Sequence, residues 1–92
     1  MHLNLRSHSS NPVIISSLVW NAVRDSLTKQ QRGDLIIYVI SVKVTDTRIT
    51  IKTGKPVINT ELSHHKEVIK ARIEESLRTF GIVPIERKIV FV

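Results

Sequence analysis

Three groups of residues in this chain have types that could do chemistry. His64 and His65 are adjacent, with Glu61 three residues ahead; Glu74 and Glu75 form a carboxylate pair; Lys52, Lys55 and Lys66 gather around one expected helix start. Catalysis needs groups that converge: a nucleophile with a base, two carboxylates, or three metal ligands. Adjacent histidines on a helix point about 100° apart, so they cannot face one metal as an i, i+4 pair can. Glu61 and His64 have i, i+3 spacing, but a carboxylate-bridged di-metal bundle needs that motif twice with two more glutamates. The second copy is absent. The histidine pair therefore reads as solvated and partly packed, with a phosphate contact or a metal site as the sharper alternatives. Glu74 and Glu75, flanked by Arg72 and Arg78, read as ordinary helix-surface charge partners. Glycines occur only at 33, 54 and 81, each alone, and no nucleophile elbow, P-loop or dinucleotide fingerprint is present. The expectation is a non-enzyme that needs no cofactor or metal.

The lysines carry a stronger signal. A helix start offers free N–H groups and the positive end of the dipole, so Lys52, Lys55 and Lys66 would reinforce a phosphate site there. Arg24, Lys29 and Arg32, at the end of the first expected helix, could form a second patch. The plain alternative for both is a solvated turn. Fourteen Lys and Arg against eight Asp and Glu give a net charge of +6, which favours an anionic partner, most simply nucleic acid, or else serves only solubility. Trp20, Tyr38, Phe80 and Phe91 all fall on or near expected apolar faces, leaving no exposed platform for stacking bases. Binding would then be backbone-directed. With three or four phosphates neutralised on a duplex, affinity would fall roughly 10²-fold between 50 and 200 mM salt.

The elements that must position these residues follow from pattern. Residues 1–10 read as a flexible polar leader without signal-peptide character, and residues 11–92 as one domain. Asn11-Pro12 opens a helix to about Leu27, whose stripe is Ile15, Leu18, Val19, Ala22, Val23 and Leu27. Leu35 to Val44 suits a long central strand, and Arg48 to Thr53 a hairpin partner with one wet face. A second helix is expected from about Val57 to Phe80, roughly 36 Å long and stopped by Gly81. Pro84 turns the chain into a last strand, Glu86 to Val92, expected to pair with the first strand. The fold class is α+β in the order α-β-β-α-β, with a three-stranded sheet and both helices packed on one face. Without cysteine, disulfides, thiolate metal sites and thiol catalysis are excluded, and the cytosol is the default compartment. No apolar run approaches the roughly 20 residues of a membrane span.

The element order is that of KH-like folds, although the G-x-x-G loop of the RNA-clamping KH domain is missing. The chain resembles the DciA family, a KH-like module of bacterial proteins that recruit or load the replicative helicase. Trp20 and Val23 in LVWNAVRDSL match that family's first-helix W-x-x-V. The stretch RITIKTGKPVINTELSHHKEVIKARI is similar to its second strand, turn and helix, with Glu61-Leu62 at the family's Glu-Leu, and GIVPIERKIVFV resembles its closing strand through Ile89 and Phe91. The resemblance spans about Asn11 to Val92. It implies a non-catalytic adaptor that binds the replicative helicase and, through basic surfaces, DNA. Trp20 and Leu62, both on apolar stripes, are expected to set the shape from within the core. A KH-like protein acting on structured RNA or the ribosome is the rival, followed by a protein-interaction module without a nucleic-acid role.

Overall fold

The computed structural model describes residues 12–82 and 86–92. Helix α1 runs Pro12–Lys29, a 3-10 segment Gly33–Tyr38, strand β1 Ser41–Val44 and strand β2 Arg48–Lys52. Helices α2, Pro56–Ser63, and α3, Lys66–Thr79, then lead to strand β3, Lys88–Phe91. The fold is α+β, with a KH-like layout of helices on a three-stranded mixed sheet. The leader, the Asn11 cap and Pro84 lie outside the described residues.

Helix α1 carries Val19, Ala22, Val23 and Leu27 into the core, where they meet Ile69, Ile73 and Leu77 of α3, Leu62 of α2, and Ile49, Ile51 and Ile89 of the sheet. Both long helices end the same way. At α3 the Gly81 N–H donates to the Arg78 carbonyl and the Ile82 N–H to the Leu77 carbonyl, with Gly81 at φ +88° and Ile82 buried. That is the six-to-one, five-to-two pattern in which a left-handed residue satisfies the last carbonyls. At α1 the same two bonds, Gln31 to Thr28 and Arg32 to Leu27, force Gln31 to φ 61°.

Three expectations are corrected. Leu35 to Ile40 is not strand: after the left-handed stop at Gln31 the chain continues turning, the Leu35 N–H donating to the Arg32 carbonyl. Leu35 and Val39 are buried while Ile37 between them is 79 % exposed, a pattern an extended chain, with i, i+2 and i+4 on one face, would not give. The long second helix is broken at His64-His65, where Ser63, His64 and His65 are consecutive weak helix formers. Finally, β3 pairs with β2 in parallel and not with β1, so the central strand is β2. The reason is burial: Ile49 and Ile51 of β2 are both buried, whereas Val42 and Val44 of β1 are only partly so.

Two stability measurements follow. Leu62 is 0 % exposed, so Leu62→Ala should cost about 2–5 kcal/mol in urea unfolding. Gln31→Gly relieves the left-handed strain, and should raise stability by about 0.5–1 kcal/mol; a loss would show that the Gln31 side chain matters more than its backbone.

Candidate nucleic-acid interface

Residues opposite one another on paired strands point to the same side of a sheet, and successive residues to opposite sides. The register pairs Val42 with Ile51 and Val44 with Ile49 across β1 and β2, and Ile49 with Ile89 and Ile51 with Phe91 across β2 and β3. These six form the inner face, against which the helices pack. The outer face must then carry Ser41, Lys43, Arg48, Thr50, Lys52, Lys88 and Val90. Lys43, Arg48, Lys52 and Lys88 are all exposed, and none makes an ion pair among the described residues. Among the strand residues of the face there is no carboxylate; Asp46 lies in the hairpin turn beyond β1, and Glu67 and Glu86 border the face only at its Lys88 end. At about 3.3 Å per residue and 4.8 Å between strands, the four cations bracket an area of roughly 10 by 13 Å.

Within this face, Arg48 and Lys88 are direct cross-strand partners. Like charges in that position are destabilising. Neither forms an ion pair with a carboxylate among the described residues, which leaves an external anion as a counter-charge for both.

The expected cluster at the second helix start does not form one site. Lys52 ends β2, and Lys55 is the exposed residue before α2. The turn joining them is held by Thr53, whose hydroxyl accepts from the Lys55 N–H at 3.1 Å and donates to Asn59 Oδ1 at 2.6 Å. Gly54 supplies the required φ of +73°. Lys66 lies elsewhere, because the eight residues of α2 and the His64-His65 joint carry it to the Arg48 end of the sheet. There it lines a groove with Thr47, Glu67, Lys70, Glu86, Arg87 and Lys88, a mixed surface in which Lys70 Nζ pairs with Glu86 at 3.1 Å. Glu86 holds the Lys70 ammonium above its ordinary range. Physical separation along α2 is what splits the three lysines.

The second expected patch is also divided. Arg24 lies over the Trp20 ring, 5.9 Å from its centroid, and Lys29 is exposed at the end of α1. Arg32 is engaged: its guanidinium donates to Glu61 Oε1 at 2.9 Å and to Asp34 Oδ1 at 3.2 Å. Both carboxyls sit below their usual range because they accept from Arg32, whose own proton is held more tightly in return. Glu61 thus ties α2 to the chain leaving α1. His64 and His65 occupy the joint between α2 and α3 and not one helix face. Among the described residues, no cluster of three or more His, Cys, Asp or Glu is placed to hold a metal, and no helix is long and apolar enough to cross a membrane.

Of the residues carrying the family resemblance, Val23, Leu62 and Ile89 are buried. Trp20 and Phe91 are only partly buried, packed against the core from its margin. Phe80, expected inside, is 45 % exposed at the end of α3. No aromatic ring lies on the outer sheet face. Sequence reasoning passed over Lys43, Arg48 and Lys88; the alternation in SVKV and RITIK could have found the first two, whereas KIVF does not alternate and carries no such signal for Lys88. No family model, curated protein or solved structure matches the chain.

The Arg32 fork has a pH signature. Carboxyls lowered by folding contribute stability above their unfolded values, near 4.3 for Glu and 3.9 for Asp, and lose it as pH falls through the folded values. Arg32→Gln should therefore melt below the wild type at pH 7, with the gap closing below about pH 4 as both carboxyls protonate. A gap that does not narrow as pH falls through the lowered folded values would mean that Arg32 acts through packing of its stem.

Proposed function

We propose that this chain is a non-catalytic adaptor that binds the nucleic-acid backbone through the open face of its sheet. The observation that carries the reading is the opposition of Arg48 and Lys88, flanked by Lys43 and Lys52, with none of the four ion-paired among the described residues and no carboxylate among the strand residues of that face. Such a face suits phosphates, which need charge and hydroxyl or amide donors but no base-reading geometry. Thr50 and Ser41 supply hydroxyls between the cations. The absence of aromatic rings on this face argues for contact with the sugar-phosphate backbone over stacking on unpaired bases.

The resemblance to DciA supports the more specific version, in which the nucleic acid is DNA and the protein partner is a bacterial replicative helicase. Trp20 and Val23, Glu61 and Leu62, and Ile89 and Phe91 carry it. In this version Glu61 and Leu62 hold the scaffold and leave contact to exposed side chains, Leu62 by burial and Glu61 by gripping Arg32. Recovery of a replicative helicase by the tagged protein would support that partner.

The nucleic-acid reading is tested by anisotropy of a labelled 30-base-pair duplex titrated with protein between 50 and 200 mM salt. Four neutralised phosphates predict a slope of log K against log salt of about −3.6, hence roughly a 10²-fold loss across that range. Changing Lys43, Arg48, Lys52 and Lys88 together to Gln should weaken binding at least about tenfold and flatten the slope. An unchanged slope would remove the sheet face from the account, and preference for structured RNA at matched salt would favour the RNA-binding rival.

A further inference from the structure

Arg48 and Lys88 each open their strands, at the end of the sheet where the hairpin turn 45–47 joins β1 to β2. We infer that this pair holds a phosphomonoester, so that the basic face takes the phosphorylated end of a nucleic-acid strand in preference to its interior. The inference rests on the nucleic-acid reading and deepens it, by naming the chemical group on which that face is centred.

A fixed backbone gives the first argument. The Arg48 N–H donates to Thr45 Oγ1 at 3.1 Å, and the Thr45 N–H donates to the Arg48 carbonyl at 2.8 Å. The Lys88 N–H donates to the Thr47 carbonyl at 3.0 Å. Both residues are therefore tied to one turn, on neighbouring strands about 4.8 Å apart, with their side chains on the same side of the sheet. A planar guanidinium offers paired N–H donors and an ammonium three more, and at that separation both reach the oxygens of a single phosphate.

Charge matching supplies the second argument. Neither Arg48 nor Lys88 has a carboxylate partner among the described residues. An internal phosphodiester brings one negative charge and leaves one of the two cations uncompensated. A phosphomonoester carries about −1.5 to −2 at pH 7, with three acceptor oxygens, and answers both.

Position decides between the end and the interior of a strand. From Arg48, Lys43 is about 8 Å away on β1 and Lys52 about 13 Å away along β2, at about 3.3 Å per residue and 4.8 Å between strands. Both lie on the side of the pair away from the turn. Past the pair, around the turn and the groove that Lys88 lines, the cations Lys66, Lys70 and Arg87 are matched one for one by Asp46, Glu67 and Glu86. The surplus of positive charge therefore stops at Arg48 and Lys88. A strand running through in both directions gains on one side only. A strand that ends here sets its terminal phosphate on the pair and its next phosphodiesters towards Lys43 and Lys52, and one dianion with two diesters balances all four cations.

The test uses the full chain and short duplexes labelled on an internal base, with phosphate at the 5′ ends, phosphate at the 3′ ends, or hydroxyls at both. By anisotropy at pH 7.5, one of the two phosphorylated duplexes should bind about fivefold more tightly than the hydroxyl-ended one, the Coulomb gain of one more unit charge about 4 Å from a cation in water. Lys88→Gln should erase that preference, whereas Lys52→Gln should weaken all three duplexes alike and keep it. Equal binding of phosphorylated and hydroxyl ends, or a preference that survives Lys88→Gln, overturns the inference and leaves the nucleic-acid reading standing. Absence of salt-sensitive binding by any duplex removes both. A phosphoserine peptide that competes as well as the phosphorylated duplex would overturn the inference too, by assigning the pair to a protein partner.

Discussion

The parallel pairing of β3 with β2 is the constraint on which the rest of the molecule depends. It makes RITIK the central strand, so Ile49 and Ile51 are covered by helices from one side while Arg48, Thr50 and Lys52 must all emerge on the other. It also brings Lys88 directly beside Arg48. Had β3 paired with β1 instead, the same residues would have been spread differently and the like-charge contact would not exist.

A division of labour between faces follows. The inner face and the helices hold the apolar core, and the Arg32 fork to Asp34 and Glu61 locks the chain leaving α1 onto α2. Charges needed for the scaffold are thereby paired off: Arg32 with its two carboxylates, Arg72 with Asp25 and Glu75, Lys70 with Glu86. The cations of the outer face are excluded from these pairs, and so are Arg24 and Lys29, Lys55 and Lys66. An unpaired cation alone says little, since surface charges often serve only solubility. Four on one uninterrupted sheet face, two of them directly opposed, say more.

Much of the fold was legible in residue patterns because local physics determines it. The stripe from Ile15 to Leu27 places α1, the alternation of Ile49 and Ile51 places β2, and Gly81 stops α3 through a conformation that glycine adopts at little cost. Other features depend on partners far away in the chain. The apolar run Leu35 to Ile40 has no period that separates strand from helical turn, and only the neighbouring Gln31 stop and the packing of Leu35 and Val39 decide it. Strand register is likewise non-local, so the sequence could not show that Lys88 would meet Arg48, or that Lys66 would leave Lys52 and Lys55. Burial of the aromatics was overestimated because apolar stripes predict direction, not depth: Trp20 points inward yet stays at the margin.

The most direct test of the account is residue-resolved mapping of a short DNA duplex onto isotope-labelled protein by amide chemical-shift changes. Lys43, Arg48, Thr50, Lys52, Lys88 and Val90 should move together, with the exposed helix faces of α1 and α3 unaffected. Shifts confined to those helices, or to the mixed-charge groove around Lys66 and Glu86, would contradict the claim that the open sheet face is the binding surface.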